Sequence, residues 1–162
     1  MPNEAHLHWH QGFRFTAQTG SGFSVELDSP SSAEPQAAPS PVEMQLVALG
    51  GCTAMDVTSI LRKMRQEVAS YDLDLAGERA EGHPRVYTSV LMTHQLRGRD
   101  IVEANVRRAI QLSMDRYCHV FAMLYPRVDI RERFEIADDA TGEIVRGDVI
   151  RSAAERPGNA AG

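Results

Sequence analysis

Two sulfurs and their neighbours carry most of the chemistry this sequence offers. Cys52 follows a diglycine in Gly50-Gly51-Cys52-Thr53-Ala54-Met55-Asp56, and Cys118 stands in Asp115-Arg116-Tyr117-Cys118-His119. A thiol reacts as its thiolate, which a nearby cation or a helix N-terminus favours, and Arg116 and His119 are the candidates beside Cys118. Each cysteine taken alone reads equally well as a small buried core residue. Two cysteines, 66 positions apart in 162 residues, are too few for the disulfide framework of a small secreted domain. Asp56 lies one helical turn beyond Cys52, on the same face. A carboxylate there raises a thiol pKa unless an arginine pairs with it.

Other candidates compete with this pair. His6, His8 and His10 share one strand face and could hold a transition metal with Cys118 or His119, or be an exposed polar face. His94 reads as a satisfied residue on an inner strand face, because no nucleophile and acid are spaced to form a triad around it. Arg62, Arg65 and Arg107 read as solvated helix faces. The chain shows no P-loop, dinucleotide fingerprint or zinc spacing to suggest a metal or organic cofactor.

The elements that must position these residues follow from period and punctuation. Alternation from Leu7 to Phe15, then at Phe23, Val25 and Leu27 after Thr19-Gly20-Ser21-Gly22, predicts a hairpin. Residues 28–41 contain four prolines and no hydrophobic period, which predicts a long loop. Ser40-Pro41-Val42-Glu43 has the spacing of a capping box and opens a helix whose apolar residues, from Met44 to Leu61, cover most of its circumference. Such a helix needs burial on nearly all sides. Each interior glycine costs about 1 kcal/mol against alanine, so Gly50-Gly51 implies a close approach or a bend.

A second hairpin is predicted from Tyr71, Leu73 and Leu75 through a turn at Gly82-His83-Pro84 to Val86–Leu96. Asp100 to Glu103 repeats the cap-then-glutamate spacing before a helix with Val102, Val106, Ala109, Ile110, Ser113 and Tyr117 on one face. A short helix to Tyr125, stopped by Pro126, and paired strands near residues 128–136 and 143–150 complete the chain. The order lacks strand–helix alternation and indicates an α+β fold with antiparallel sheets.

Length and composition bound the rest. At 162 residues, 43% hydrophobic and 24% charged, the chain suits one domain over residues 1–150 with a flexible tail at 151–162. A net charge of −5, from 17 basic and 22 acidic side chains, argues against a nucleic-acid partner. No signal-like N-terminus or run of about 18 uncharged apolar residues is seen, so a cytoplasmic protein with no membrane partner is expected. The apolar helix exceeds what short hairpins cover, which predicts a homodimer.

With these residues in view, the chain resembles the OsmC/Ohr family of peroxide-stress proteins, and within it the YhfA-like branch. The resemblance is carried by Ser40-Pro41-Val42-Glu43-Met44 leading into Leu46–Val57, by Ile60-Leu61-Arg62-Lys63, Gly98-Arg99-Asp100 and Tyr117-Cys118, and spans about Leu7 to Ile136. It implies antiparallel sheets wrapped around central helices in an intertwined homodimer, with a site at the subunit interface. It also implies a thiol peroxidase in which Cys52 attacks an organic hydroperoxide, Cys118 resolves the sulfenic acid as a disulfide, and an external dithiol resets the pair. Arg14 is the matching arginine for the thiolate and Glu43 the acid that orients it. Arg14 follows Gly12, whereas the family's arginine precedes that glycine, nearer His10, and Glu43 is also the capping-box acid. The alternative is a non-catalytic stress-associated protein that binds a small apolar or electrophilic ligand at the dimer interface.

Overall fold

The computed structural model describes residues 3–30 and 35–151; most of the stretch read as a flexible tail lies outside them. The chain divides into two compact units, Met1–Val47 and Ala48–Gly162.

In the first unit, β1 (Ala5–Gln11), β2 (Arg14–Thr19) and β3 (Ser24–Leu27) form an antiparallel meander in that order. The single strand expected from Leu7 to Phe15, as the first arm of a hairpin, is corrected here, because the chain reverses in the middle of that run and two strands stand in its place. Gly12 sits at φ 53°, a left-handed conformation that costs glycine little, and Trp9 Nε1 donates to its carbonyl at 3.1 Å. The alternation persists through the turn, with Trp9 opposite Phe15. The unit ends at the start of α1 (Pro41–Lys63), where the capping box forms as expected. The Ser40 amide and hydroxyl both donate to Glu43 Oε2 at 2.7 Å, and the Glu43 amide donates back to Ser40 Oγ at 3.3 Å.

The second unit holds the remainder of α1 and a four-stranded sheet in the order β4 (Glu67–Arg79), β5 (Tyr87–Arg99), β6 (Asp129–Asp138), β7 (Ile144–Val149). β4–β5 and β6–β7 are the antiparallel pairs expected, within an α+β fold. The central pair adds something to that reading: β5 and β6 run parallel, Ser89 opposite Asp129 through Gly98 opposite Asp138. Parallel neighbours need a crossover. It is made by α2 (Glu103–Leu112), a single π-helical turn (Ser113–Tyr117) and α3 (His119–Leu124). One face of the sheet is buried, with Val90, Met92, Leu96, Ile130, Phe134 and Ile136 joining Leu49, Val57, Leu61, Val106, Ile110 and Phe121 of the helices. Each such side chain contributes about 1.5–3 kcal/mol of burial.

Three local expectations are corrected. Asp100 does not cap α2: the cap position is Val102, without a side-chain cap bond, while Asp100 turns the chain at φ 53° and its amide donates to Asp138 Oδ2 at 3.3 Å. Tyr117 does not share the buried face of Val106, Ala109, Ile110 and Ser113, because the wide turn starting at Ser113 changes the angular spacing and leaves Tyr117 exposed. Arg107 is not merely solvated; it donates to Glu103 Oε1 at 2.8 Å and to the Asp148 carbonyl, and stacks over the Phe134 ring.

Burial of α1 is one-sided within the chain. Leu49, Gly50, Thr53, Val57, Ile60 and Leu61 are buried, whereas Val47 and Met55 are exposed, Met55 by 74%. By length and composition alone this helix could cross a membrane, a test that soluble core helices also pass. The diglycine divides the same way. A methyl group at Gly50 would lie 2.7 Å from Leu75 Cδ1 on β4, so Gly50 marks a close approach of helix and sheet; one at Gly51 would meet nothing within 4 Å.

Candidate thiol site

The second unit brings the two cysteines together. Cys52 lies on the fourth turn of α1, and Cys118 is the residue between the π turn and α3, with φ −72° and ψ 101°. Both are free thiols. Their sulfurs and a carboxylate oxygen of Asp56 all lie within 4.8 Å of one another. The i, i+4 spacing places Asp56 over Cys52 on one helix face, and the crossover between β5 and β6 delivers Cys118 to it.

Cys118 is 3% exposed and serves as the N-cap of α3, its Sγ accepting from the Phe121 amide at 3.3 Å. Thr53 Oγ1 donates to the same sulfur at 3.4 Å. Burial dominates nonetheless and pushes this thiol from its ordinary 9.0 up to about 11, with the Cys52 side chain adding to the rise and Thr53 and Phe121 opposing it. Cys52 is half-buried and therefore the more accessible sulfur. Asp56 accepts from the buried Ser113 hydroxyl at 3.0 Å; among the described residues no arginine forms an ion pair with it. It also lines a pocket of about 410 Å³ with Ser59, Ile60, Lys63, Met64, Leu112 and Tyr117.

Comparison with known proteins places the chain in a family. Residues 33–133 match the family model described as OsmC-like protein. Protein YhfA of Escherichia coli strain K12 is 40% identical over 133 residues, 82% of this chain and 97% of that protein. This chain belongs to the OsmC family. A hypothetical protein from Aquifex aeolicus VF5 superposes with a TM-score of 0.73 at 28% identity, covering 84% of this chain and 96% of its own. An organic hydroperoxide resistance protein, OsmC, from Legionella pneumophila superposes with a TM-score of 0.61 at 12% identity, covering 82% and 95%, and at that identity speaks for the fold alone.

The other site candidates are placed as follows. Arg14 and Glu43 belong to the first unit and the cysteines to the second. Arg14 opens β2, and its charge helps hold the Asp28 carboxyl below its usual range, after the amides of Ala37 and Ser29. Glu43 is held below its usual range first by the Ser40 hydroxyl and amide of the cap, and Gln36 Nε2 donates to the same carboxylate oxygen at 3.4 Å. His6, His8 and His10 lie on exposed β1; among the described residues they join no set of three ligand atoms within 4.8 Å. Arg116 and His119 are both exposed.

His94 is satisfied, as its strand position implies, but through a partner the sequence does not announce. Its Nδ1 lies 2.7 Å from Tyr71 Oη and its Nε2 lies 2.8 Å from Glu132 Oε2, with His94 and Glu132 side chains fully buried. Burial, and then the charge of Glu132, push the Tyr71 phenol far above its ordinary range, so it remains an O–H donor. The arrangement satisfying each donor is Tyr71 O–H to Nδ1 and Nε2–H to Glu132. Glu132 Oε1 is buried without a hydrogen-bond partner. Glu132 faces inward by strand parity, the one signal that could have found it.

Proposed function

We propose that this chain is a thiol-dependent peroxidase that reduces organic hydroperoxides in stress defence, working in the cytoplasm as a homodimer. The observation that carries the reading is the convergence of two free sulfurs, 66 positions apart in sequence, to within 4.8 Å. Burial divides their labour. The half-buried Cys52 thiolate attacks the O–O bond, takes one oxygen to become a sulfenic acid, and the alkoxide takes up a proton and leaves as alcohol. The Cys118 sulfur then attacks the Cys52 sulfur, the S–O bond breaks, water departs and a disulfide forms. An external dithiol reduces that disulfide and is itself oxidised; no further cofactor enters these steps.

Ile60, Met64, Leu112 and Tyr117 around the pocket suit a substrate with an apolar tail. The exposed Val47 and Met55 on α1 are surface a second chain would cover. The family resemblance gives Arg14 the task of stabilising the Cys52 thiolate and Glu43 that of orienting Arg14, but the chemistry above stands on the two sulfurs.

The test uses metal-free reduced protein and stoichiometric cumene hydroperoxide. Both thiols should be lost together, with an intramolecular Cys52–Cys118 disulfide found by peptide mapping. Cys118→Ser should stop at a Cys52 sulfenic acid that dimedone traps, and Cys52→Ser should be inert. Thiols that persist, with no disulfide, would reject the peroxidase and leave the ligand-binding alternative.

A further inference from the structure

The proposed peroxidase accounts for two of the three groups that meet at the site. Asp56 is the third, with a carboxylate oxygen within 4.8 Å of both sulfurs. Its hydrogen-bond donor, Ser113, is neutral and cannot offset that charge. A divalent cation reverses the sign of the whole cluster, because two thiolates and a carboxylate then surround a positive centre.

We propose that the reduced protein binds one thiophilic divalent cation of the zinc class through Cys52 Sγ, Cys118 Sγ and a carboxylate oxygen of Asp56, with its fourth position open toward the Asp56–Tyr117 pocket. Two sulfurs, one oxygen and an open position form a set that zinc accepts in tetrahedral geometry. The supporting bonds are in place. Ser113 Oγ donates to Asp56 Oδ2, fixing the carboxylate, and Thr53 Oγ1 and the Phe121 amide donate to Cys118 Sγ, bonds an electron-rich metal thiolate accepts. Two of the ligands lie at i and i+4 on α1 and the third arrives from the crossover, so the site exists only in the folded unit.

The balance is simple: two thiols and the carboxylate take up M²⁺ and release two protons. The cation occupies the sulfur lone pairs that peroxide chemistry needs, so loading and disulfide formation exclude each other. Binding itself requires no reaction with peroxide, and the two readings fail separately.

The experiment uses the full chain, reduced and stripped with EDTA. Cobalt(II) should produce thiolate-to-metal charge-transfer absorption at one equivalent per chain, and zinc should displace it with the release of two protons in weak buffer. Asp56→Asn, which keeps an oxygen for Ser113, should weaken zinc at least tenfold against a chromophoric chelator, with unchanged circular dichroism. Cys52→Ser should remove about half the charge-transfer intensity. The His6→Ala/His8→Ala/His10→Ala variant should bind as the parent does. Absence of thiolate bands, unchanged affinity in Asp56→Asn, or loss of binding in the histidine variant would each overturn the site. Thiol loss to cumene hydroperoxide in the stripped protein, measured alongside, judges the peroxidase alone.

Discussion

Alkaline pH should destabilise this protein through Cys118 in particular. That thiol is 3% exposed, and burial, reinforced by Cys52, lifts it from 9.0 to about 11. The folded pKa lies above the unfolded one, so the fold favours the neutral thiol. Its contribution is complete below about pH 9 and is eroded as pH rises, since the unfolded chain ionises first; above about pH 11 both states are ionised and nothing more is lost. Two pH units at about 1.4 kcal/mol each give a total near 2–3 kcal/mol, of which about 1.4 kcal/mol is gone at about pH 10. Urea denaturation of the parent chain against Cys118→Ser under reductant reads this term with Cys52, one of its causes, left in place. The stability difference should fall by about 1.4 kcal/mol between about pH 7.5 and about pH 10. A difference that stays flat, or grows in favour of the cysteine, would refute the assignment of a buried, neutral thiol.

Two further outcomes follow from packing. His94→Ala should cost about 3–5 kcal/mol in chemical denaturation, because it strands the Glu132 carboxyl, whose Oε1 already lacks a partner, whereas Tyr71→Phe removes one hydrogen bond and should cost about 1 kcal/mol; equal losses would contradict the chain of bonds. Gly98→Ala should lower stability by about 1–3 kcal/mol, since its methyl group would lie 2.1 Å from the Glu67 carbonyl oxygen. Gly50→Ala should be near neutral: there the obstacle is the flexible end of Leu75, and helix propensity returns about 1 kcal/mol. A larger loss at Gly50 would reverse that comparison.

What could be read from residue order was whatever depends on local chemistry. Ser40 and Glu43 form their capping box because both partners lie within one turn. Leu73 and Leu75 stand opposite His94 and Met92, as their alternation requires. The failures occur where one period runs through two structures. Leu7 to Phe15 alternates across the Gly12 turn, and Asp100 carries a cap's composition while answering to Asp138, 38 residues away. Asp56 was identifiable as sharing a face with Cys52, but Ser113 and Cys118 reach it through a crossover whose parallel direction no local pattern encodes. Glu132 was hidden for the same reason, because its partner His94 lies on a strand joined to it only by that crossover.

The π turn from Ser113 to Tyr117 has one more consequence. A helix counts residues as well as placing them, and each residue advances the chain by about 100°. The wide turn holds one residue more than an α-helical turn would, and Cys118 follows it directly. The direction in which that sulfur points is therefore set by the length of the segment before it, a property that every side-chain replacement preserves. Alanine scanning across Ser113–Tyr117 would leave this determinant untouched, and two sequences aligned with a one-residue gap there could share every named site residue yet aim the second thiol to different sides.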